Sequence, residues 1–293
     1  MIASDRPARP AGGLRFGFGT NGFGDHSLDD ALLVLAGLGY DGVGLTLDQR
    51  HLDPYAPDLQ HRLGRLARRL AELGLDVVIE TGGRFLLDPW CKHQPTLMSA
   101  DGAGRRIDLL LRAIRIAADL NAPVVSLWSG TAPAGLPAET AWERLVAGCS
   151  RIVDEAASHG VALGFEPEPG MFIDTLDRYE ELRHRLGDPE QFGLTLDIGH
   201  CRCLEPQPVP ECVRRAAPHL VHVQIDDMRQ SRHEHLELGT GEIDFPPVLS
   251  ALAECAHPGL VTVELPRHSH AAPEVARRSL GFLQMSSPRG VPS

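Results

Sequence analysis

Residues 193–200, GLTLDIGH, contain the pattern that decides the fold: a short apolar run, typical of a buried strand, that ends on polar side chains. The same pattern recurs in GFEPEP at 164–169, in HVQ at 222–224 and in VTVEL at 261–265. Each run is followed by a segment with helical periodicity. Strands that alternate with helices in this way predict a parallel sheet covered by its own connecting helices.

The strand–helix unit repeats eight times. The predicted strands are 14–18, 42–45, 75–79, 123–127, 161–165, 193–196, 220–223 and 260–263. The predicted helices are 27–38, 57–73, 101–120, 137–159, 175–186, 208–217, 245–255 and 273–283. The count of eight and the polar strand ends favour a (β/α)8 TIM barrel over a doubly wound open sheet. We therefore predict an α/β protein with a single TIM barrel over 14–284 and disordered tails at 1–13 and 285–293.

Composition narrows the class of partner. The chain of 293 residues has a formal net charge of −11, which disfavours nucleic acid because its phosphates repel an acidic surface. No apolar stretch reaches the roughly 18–20 residues of a membrane span, and the first residues lack the apolar region of a signal peptide. The six cysteines form no CxxC pair. These features predict a cytoplasmic protein that acts on small molecules, and they leave open whether it is a homo-oligomer.

The polar residues after the last four strands are expected to meet, because the carboxyl ends of all strands of a parallel barrel lie on one face. Glu166, Asp197 and Glu264, with either His222 or Gln224, would form a mononuclear metal site. Such an oxygen-rich set favours Mn²⁺, Mg²⁺ or Co²⁺, while Zn²⁺ is also compatible with it. Both glutamates end strands predicted to be buried, where an unpaired carboxylate is costly unless a cation or a proton neutralises it.

Nearly the whole chain resembles the xylose isomerase-like TIM barrel superfamily, the sugar phosphate isomerase/epimerase group that includes hydroxypyruvate isomerase, D-tagatose 3-epimerase, inosose isomerases and endonuclease IV. The most specific segment is LVHVQIDDM at 220–228 followed by LGTGEID at 238–244, which is similar to the seventh-strand motif of hydroxypyruvate isomerase. The resemblance implies one divalent ion, Mn²⁺ first, with Mg²⁺, Co²⁺ or Zn²⁺ as alternatives. It places the metal ligands at Glu166, Asp197, Gln224 and Glu264, and the catalytic groups at Glu166, Glu264 and His200.

Further residues are expected to contact the substrate. They are His222, His235, Arg232, Glu168, Trp128, Arg84 and His93. His222 and Glu168 alternate by two with predicted ligands, so they share a strand face with them. His235 lies before a Gly-x-Gly turn, and with His233 it could instead bind a second metal ion. The segment 80–100, about twenty residues without helix or strand periodicity, is expected to cover the site.

We expect an isomerase or epimerase that acts on a ketose, a keto acid or a polyol such as a cyclitol. A bound divalent ion would stabilise an enediolate while one glutamate removes a proton and the other returns it. Loss of a β-hydroxyl from the same enediolate would make the protein a lyase or dehydratase, and the sequence leaves this alternative open. A nuclease like endonuclease IV is least favoured, because that enzyme needs histidines where strands three and four of this chain end on Glu80 and Trp128.

Overall fold

A closed barrel of eight parallel strands forms the centre of the computed structural model, which describes residues 13–288, and the predicted fold is confirmed. In chain order the strands are β1 (Arg15–Gly19), β2 (Gly42–Thr46), β3 (Asp76–Glu80), β4 (Val124–Trp128), β5 (Ala162–Glu166), β6 (Phe192–Asp197), β7 (Leu220–Ile225), β8 (Asp227–Arg229), β9 (Arg232–Leu236) and β10 (Leu260–Val263). The barrel closes in the order β1-β10-β7-β6-β5-β4-β3-β2, and β8 pairs with β9 as a separate hairpin.

The helices that cover the barrel follow the predicted segments. They are α1 (Leu28–Leu38), α2 (Leu59–Leu73), α3 (Ala103–Asp119), α4 (Ala138–His159), α5 (Leu176–Arg185), α6 (Ile198–Leu204), α7 (Val209–Ala216), α8 (Phe245–Glu254) and α9 (Ala272–Ser286). Within residues 13–288, no helix combines the length and apolarity needed to cross a bilayer. The tails predicted at 1–13 and 285–293 lie largely outside the described residues, and α9 continues to Ser286.

Alternate side chains of the barrel strands fill the interior in layers. An apolar cluster at the amino-terminal end is formed by Val78, Val124 and Leu260. Two residues further along the same three strands the buried side chains are polar: Glu80, Ser126 and Thr262. The strands end about two residues further along. Because side chains alternate between the two faces of a strand, the polar residue at this position also points into the barrel. The layering therefore explains why the predicted site residues converge at one end of the barrel.

Glycines make room for the polar layer. A Cβ atom on Gly44 would overlap the carboxylate of Glu80, and one on Gly164 would overlap the hydroxyl of Thr195. Thr195 Oγ1 lies 3.0 Å from Ser126 Oγ across the interior, within hydrogen-bonding distance. Bulky branched residues usually fill this level of a TIM barrel interior. In this chain the space is used for polar groups directly beneath the site.

Two elements near the site were not predicted, helix α6 and the β8–β9 hairpin. Helix α6 begins where β6 ends, because Asp197 is its N-cap and accepts a hydrogen bond from the backbone N–H of His200 at 2.8 Å. The hairpin follows β7 and turns at Ser231, whose φ is 58°. His233 and His235 therefore lie on a strand that folds over the barrel end, rather than in a loop.

The segment after the hairpin is held by the carboxylate of Asp227, which is 1% exposed. It accepts hydrogen bonds from the backbone N–H groups of Gly239 at 2.9 Å, Gly241 at 2.7 Å, Ile243 at 3.1 Å and Met228 at 2.9 Å. One buried side chain thus satisfies four backbone donors and fixes the turn that carries the GTGEI sequence.

Replacing Asp227 with alanine should lower the free energy of unfolding by about 2–4 kcal/mol, because buried N–H groups would lose a charged acceptor. Urea denaturation of Asp227→Ala and of Glu143→Ala, an exposed change on α4, would measure this difference. Equal stability of both variants and the parent would show that the turn does not depend on this carboxylate.

Candidate active site and metal centre

A cavity of about 490 Å³ opens at the carboxyl ends of the barrel strands. Most residues proposed from the sequence line it, namely Glu166, Glu168, His200, Gln224, His235, Glu264, Trp128, Arg84 and His93. The long loop after β3 also contributes to the wall, as expected for a segment that covers the site. The volume falls in the range of small-molecule sites, roughly 300–1,000 Å³.

Three proposed residues do not line this cavity. Asp197 lies directly behind the wall, with a carboxylate oxygen within 4.8 Å of ligand atoms of Glu166 and His200. His222 is fully buried beneath the floor, and burial lowers its pKa to about 3. Arg232 is exposed at the start of β9. Asp197 therefore stays a metal ligand candidate, whereas His222 and Arg232 lie outside the lining of the cavity.

Two buried oxygen atoms at the floor of the site lack a hydrogen-bond donor. Asp197 Oδ2 and Gln224 Oε1 have no partner within residues 13–288. Beside them, Glu166 is 9% exposed and Glu264 Oε1 accepts a hydrogen bond from Asn21 Nδ2 at 3.0 Å. Buried oxygen lone pairs without donors, next to further carboxylates, provide the environment that a hard divalent cation satisfies. The predicted ligand set therefore fits a divalent ion.

Crowding of acidic groups changes their protonation. Burial raises the pKa of Glu166 to about 7, an effect that His200 opposes and that Glu168 and Asp197 reinforce. Burial also raises the pKa of Glu264 well above its usual range, and the charge of Glu166 adds to this shift. So many carboxylates cannot all be ionised in one buried volume unless positive charge compensates them.

His200 connects the ligand group to the neighbouring strands. Its Nδ1 lies 3.2 Å from the carbonyl oxygen of Pro167 and 3.2 Å from Glu166 Oε1. Burial alone would lower the pKa of His200, but the charges of Asp197 and Glu166 outweigh it and hold the pKa well above its usual range. Nδ1 can therefore donate a proton to these oxygens, and Nε2 lies 3.2 Å from His233 Nε2.

A second group of possible ligands consists of His200, His233 and His235, whose ligand atoms lie within 4.8 Å of one another. Two imidazole nitrogens in one tetrahedral zinc shell are about 3.3 Å apart, close to the His200–His233 separation. Asp226 Oδ2 lies 2.5 Å from His235 Nδ1, so the carboxyl group is in contact with the ring. This group suits a borderline ion such as Zn²⁺, so the alternative role of His233 and His235 stays open.

Glu80 and Asp226 belong to the site but were not among the sequence candidates. Glu80 is 4% exposed and accepts hydrogen bonds from Gln224 Nε2 at 3.5 Å and Thr46 Oγ1 at 3.2 Å. The hydrogen bond from Gln224 Nε2 orients the amide so that its oxygen faces the ligand group. The run DVVIE also ends on a polar residue, so the pattern used for the other motifs could have revealed Glu80. Asp226 is followed by a second aspartate, Asp227, and the sequence does not show which of the two side chains points toward the site.

Comparison with known proteins agrees with this geometry. The profile of the xylose isomerase-like TIM barrel family matches residues 32–285. The chain therefore belongs to that family.

Among curated relatives, an L-ribulose 3-epimerase of Mesorhizobium japonicum is 27% identical over 212 residues, which cover 69% of this chain and 64% of that protein. An inosose dehydratase of Lacticaseibacillus casei is 26% identical over 140 residues, which cover 42% of this chain and 46% of that protein. For the first relatives matched, the shared segment spans less than half of the relative's own length. The chain thus has relatives named as epimerases and as dehydratases.

Solved structures share the fold over nearly the whole chain. D-Allulose 3-epimerase from Methylomonas sp. superposes with a TM-score of 0.75 at 19% identity, covering 93% of this chain and 98% of that one. The IolI protein, in a crystal structure with a zinc atom, superposes with a TM-score of 0.74 at 19% identity, covering 93% and 98%. At these identities the similarity demonstrates a common barrel.

We expect the chain to bind one divalent ion with an affinity that depends on Asp197. Asp197→Asn keeps an acceptor for the backbone of His200 but loses a charged ligand, so Mn²⁺ affinity should fall by at least about 10- to 100-fold. Calorimetric titration of chelator-treated protein would measure this, with the exposed Glu143→Gln as control. Unchanged affinity in Asp197→Asn would contradict the assignment. If the parent binds two ions and His233→Asn binds one, the group of His200, His233 and His235 is a further site.

Glu80 should support the metal site without binding the ion. Glu80→Met removes the acceptor that orients the Gln224 amide, so Mn²⁺ affinity should fall by roughly 10- to 100-fold. Glu80→Gln keeps an acceptor oxygen and should recover part of the loss. Stability of the metal-free protein should not fall in Glu80→Gln, because burial raises the pKa of the native carboxylate to about 7. Parental affinity in Glu80→Met would show that the amide needs no such partner.

Proposed function

We propose that this chain is a divalent-metal-dependent isomerase or epimerase of a ketose, a keto acid or a keto-cyclitol, and that it moves a proton through an enediolate. The observation that carries the proposal is the presence of Glu166 and Glu264 in one cavity. They come from β5 and from the end of β10, which β6 and β7 separate in the barrel. Two carboxyl groups that reach the substrate from different strands can serve as separate base and acid.

The ion would be held by Glu166, Asp197, Gln224 and Glu264. When bound, a divalent ion supplies Lewis acidity to the carbonyl of the substrate. One glutamate removes the proton from the carbon beside the carbonyl. The other returns a proton to the opposite face of that carbon, which gives an epimer, or to the neighbouring carbon, which interconverts ketose and aldose. His200, which lines the cavity, would hydrogen-bond a substrate oxygen on which negative charge develops.

A dehydratase is the second candidate, and one specific feature favours it. His235 lines the cavity and contacts Asp226, so the site contains an imidazole in addition to the two glutamates. Such a group would relay the proton that the β-hydroxyl takes up as it leaves. The relationship to an inosose dehydratase supports this alternative.

The distinguishing experiment uses Mn²⁺-loaded protein in D₂O with L-ribulose, D-allulose, an inosose, and the phosphates and acids of the two ketoses. An isomerase or epimerase should introduce deuterium at the carbon beside the carbonyl, which NMR detects in recovered substrate and product. Glu166→Gln and Glu264→Gln should each lower the exchange rate by about 10²- to 10⁴-fold, the usual contribution of a general acid or base.

A new dicarbonyl or enone absorbance with loss of the β-hydroxyl would instead identify the dehydratase. The exposed variant Glu143→Gln serves as control and should match the parent. Absence of both exchange and elimination, in protein shown to contain the ion, would refute the proposed chemistry.

A further inference from the structure

The wall of the cavity carries two opposite charges at two levels. The floor is acidic, with Glu80, Glu166 and Glu264 at the strand ends. The loops above carry the arginine and lysine residues of the lining, Arg50, Arg84 and Lys92, together with Asp25 and Asp48. The proposed reaction uses the acidic floor alone, so the basic groups have no role in it.

Two of these cations are available for a ligand. Arg84 and Lys92 are exposed, and neither forms an ion pair within the described part of the chain. Arg50 is already engaged, since it donates to the carbonyl oxygen of Gly24 and lies 3.8 Å from Asp25. Arg229 pairs with Glu234 at 2.7 Å and does not line the cavity. The structure thus selects Arg84 and Lys92 from a chain rich in arginine.

The fold brings the backbone segments that carry these two cations together, although eight positions separate them in the sequence. The backbone N–H of His93 donates to the carbonyl oxygen of Arg84 at 2.7 Å, which brings the residue after Lys92 against Arg84. His93 has a φ of 63°, an unusual value for a residue other than glycine. Its ring packs edge-on against Trp128, with centroids 5.0 Å apart, so the strained turn faces the cavity.

A buried guanidinium fixes the loop from below. Arg106 of α3 is 6% exposed, and it donates from Nε to the carbonyl oxygen of Pro95 at 2.9 Å and from Nη2 to that of His93 at 2.8 Å. On the outer side, Asp88 accepts from the backbone N–H groups of Trp90 at 2.7 Å and of Cys91 at 3.0 Å. A loop anchored at both sides holds the backbone that carries these cations in place before a ligand arrives, which lowers the entropic cost of binding.

We propose that Arg84 and Lys92 bind an anionic group, carboxylate or phosphate, at the end of the substrate remote from the carbons that exchange protons. The inference rests on the proposed function and names its substrate class as a sugar acid or a sugar phosphate. Arg84 offers a planar fork that matches two anionic oxygens, and Lys92, the only lysine of the chain, adds a point charge. A neutral ketose of the same length leaves both cations without a partner inside the cavity.

Binding of unreactive polyols to the Mn²⁺-loaded protein tests this proposal independently of catalysis. Ribitol, D-ribonate and D-ribitol 5-phosphate have the same chain length and differ in the terminal group, and none has a carbonyl. Ligand-observed NMR at fixed ionic strength would give the three dissociation constants. We expect one of the two anions to bind about 10- to 100-fold more tightly than ribitol, as two charge-assisted contacts provide. The preferred anion identifies carboxylate or phosphate as the natural group.

Variants of Arg84 and Lys92 test whether these residues bind the anionic group. The double variant Arg84→Ala/Lys92→Ala should lose the preference, whereas Lys92→Arg, which keeps the charge, should retain most of it. Arg65→Ala/Arg68→Ala removes two exposed arginines from α2, on the outside of the barrel, and is the control for net charge. Equal affinity for all three polyols in the parent would overturn the proposal. So would a preference that persists in Arg84→Ala/Lys92→Ala, since the anion would then be held by the metal.

The outcomes also separate this inference from the proposed function. Deuterium exchange with neutral ketoses but not with their phosphates or acids would refute the anionic substrate and leave the isomerase intact. An anion preference that depends on Arg84 and Lys92, in a protein that catalyses neither exchange nor elimination, would support the subsite and refute the isomerase.

Discussion

The constraint on which the site depends is the burial of several carboxylates at one end of the barrel. Parallel strands direct their last inward residues to the same small volume, and in this chain Glu166 and Asp197 share it, with Glu264 on the wall of the same cavity. Repulsion and desolvation push these groups toward their neutral forms. A divalent ion relieves both effects at once. The donor-free oxygens of Asp197 and Gln224 and the raised pKa of His200 are consequences of the same crowding.

The polar floor extends one layer into the barrel, and this extension affects stability. Glu80 takes space that Gly44 leaves free, and it replaces the branched apolar side chain that a stable barrel would have at this level. A buried carboxyl group with few partners destabilises the fold, so its presence calls for a functional reason. Orientation of the Gln224 amide is such a reason, because an amide ligand, unlike a carboxylate, presents only one oxygen to a metal.

Sequence periodicity predicted the barrel because its strands are covered on both faces and appear as short apolar runs. The ligand set followed from topology, since residues at strand ends must meet. The missing parts depend on contacts that no local pattern encodes. Helix α6 has only seven residues and begins at a residue that is also a ligand candidate. The β8–β9 hairpin is polar and short, and the proximity of Arg84 to Lys92 arises from a single backbone hydrogen bond in a loop.

Substrate class and reaction type are coupled in this site. Epimerisation, isomerisation and dehydration start from the same enediolate, and they differ in which substrate atom lies next to each proton donor. An anionic end held by a preformed loop fixes the position of the chain of carbons relative to Glu166 and Glu264, which is how remote binding energy is converted into orientation. The distance from the anion to the reacting carbons then determines whether a hydroxyl reaches His235 and leaves, or remains while a glutamate returns the proton. In the proposed scheme the loop after β3 would select the reaction as well as the substrate.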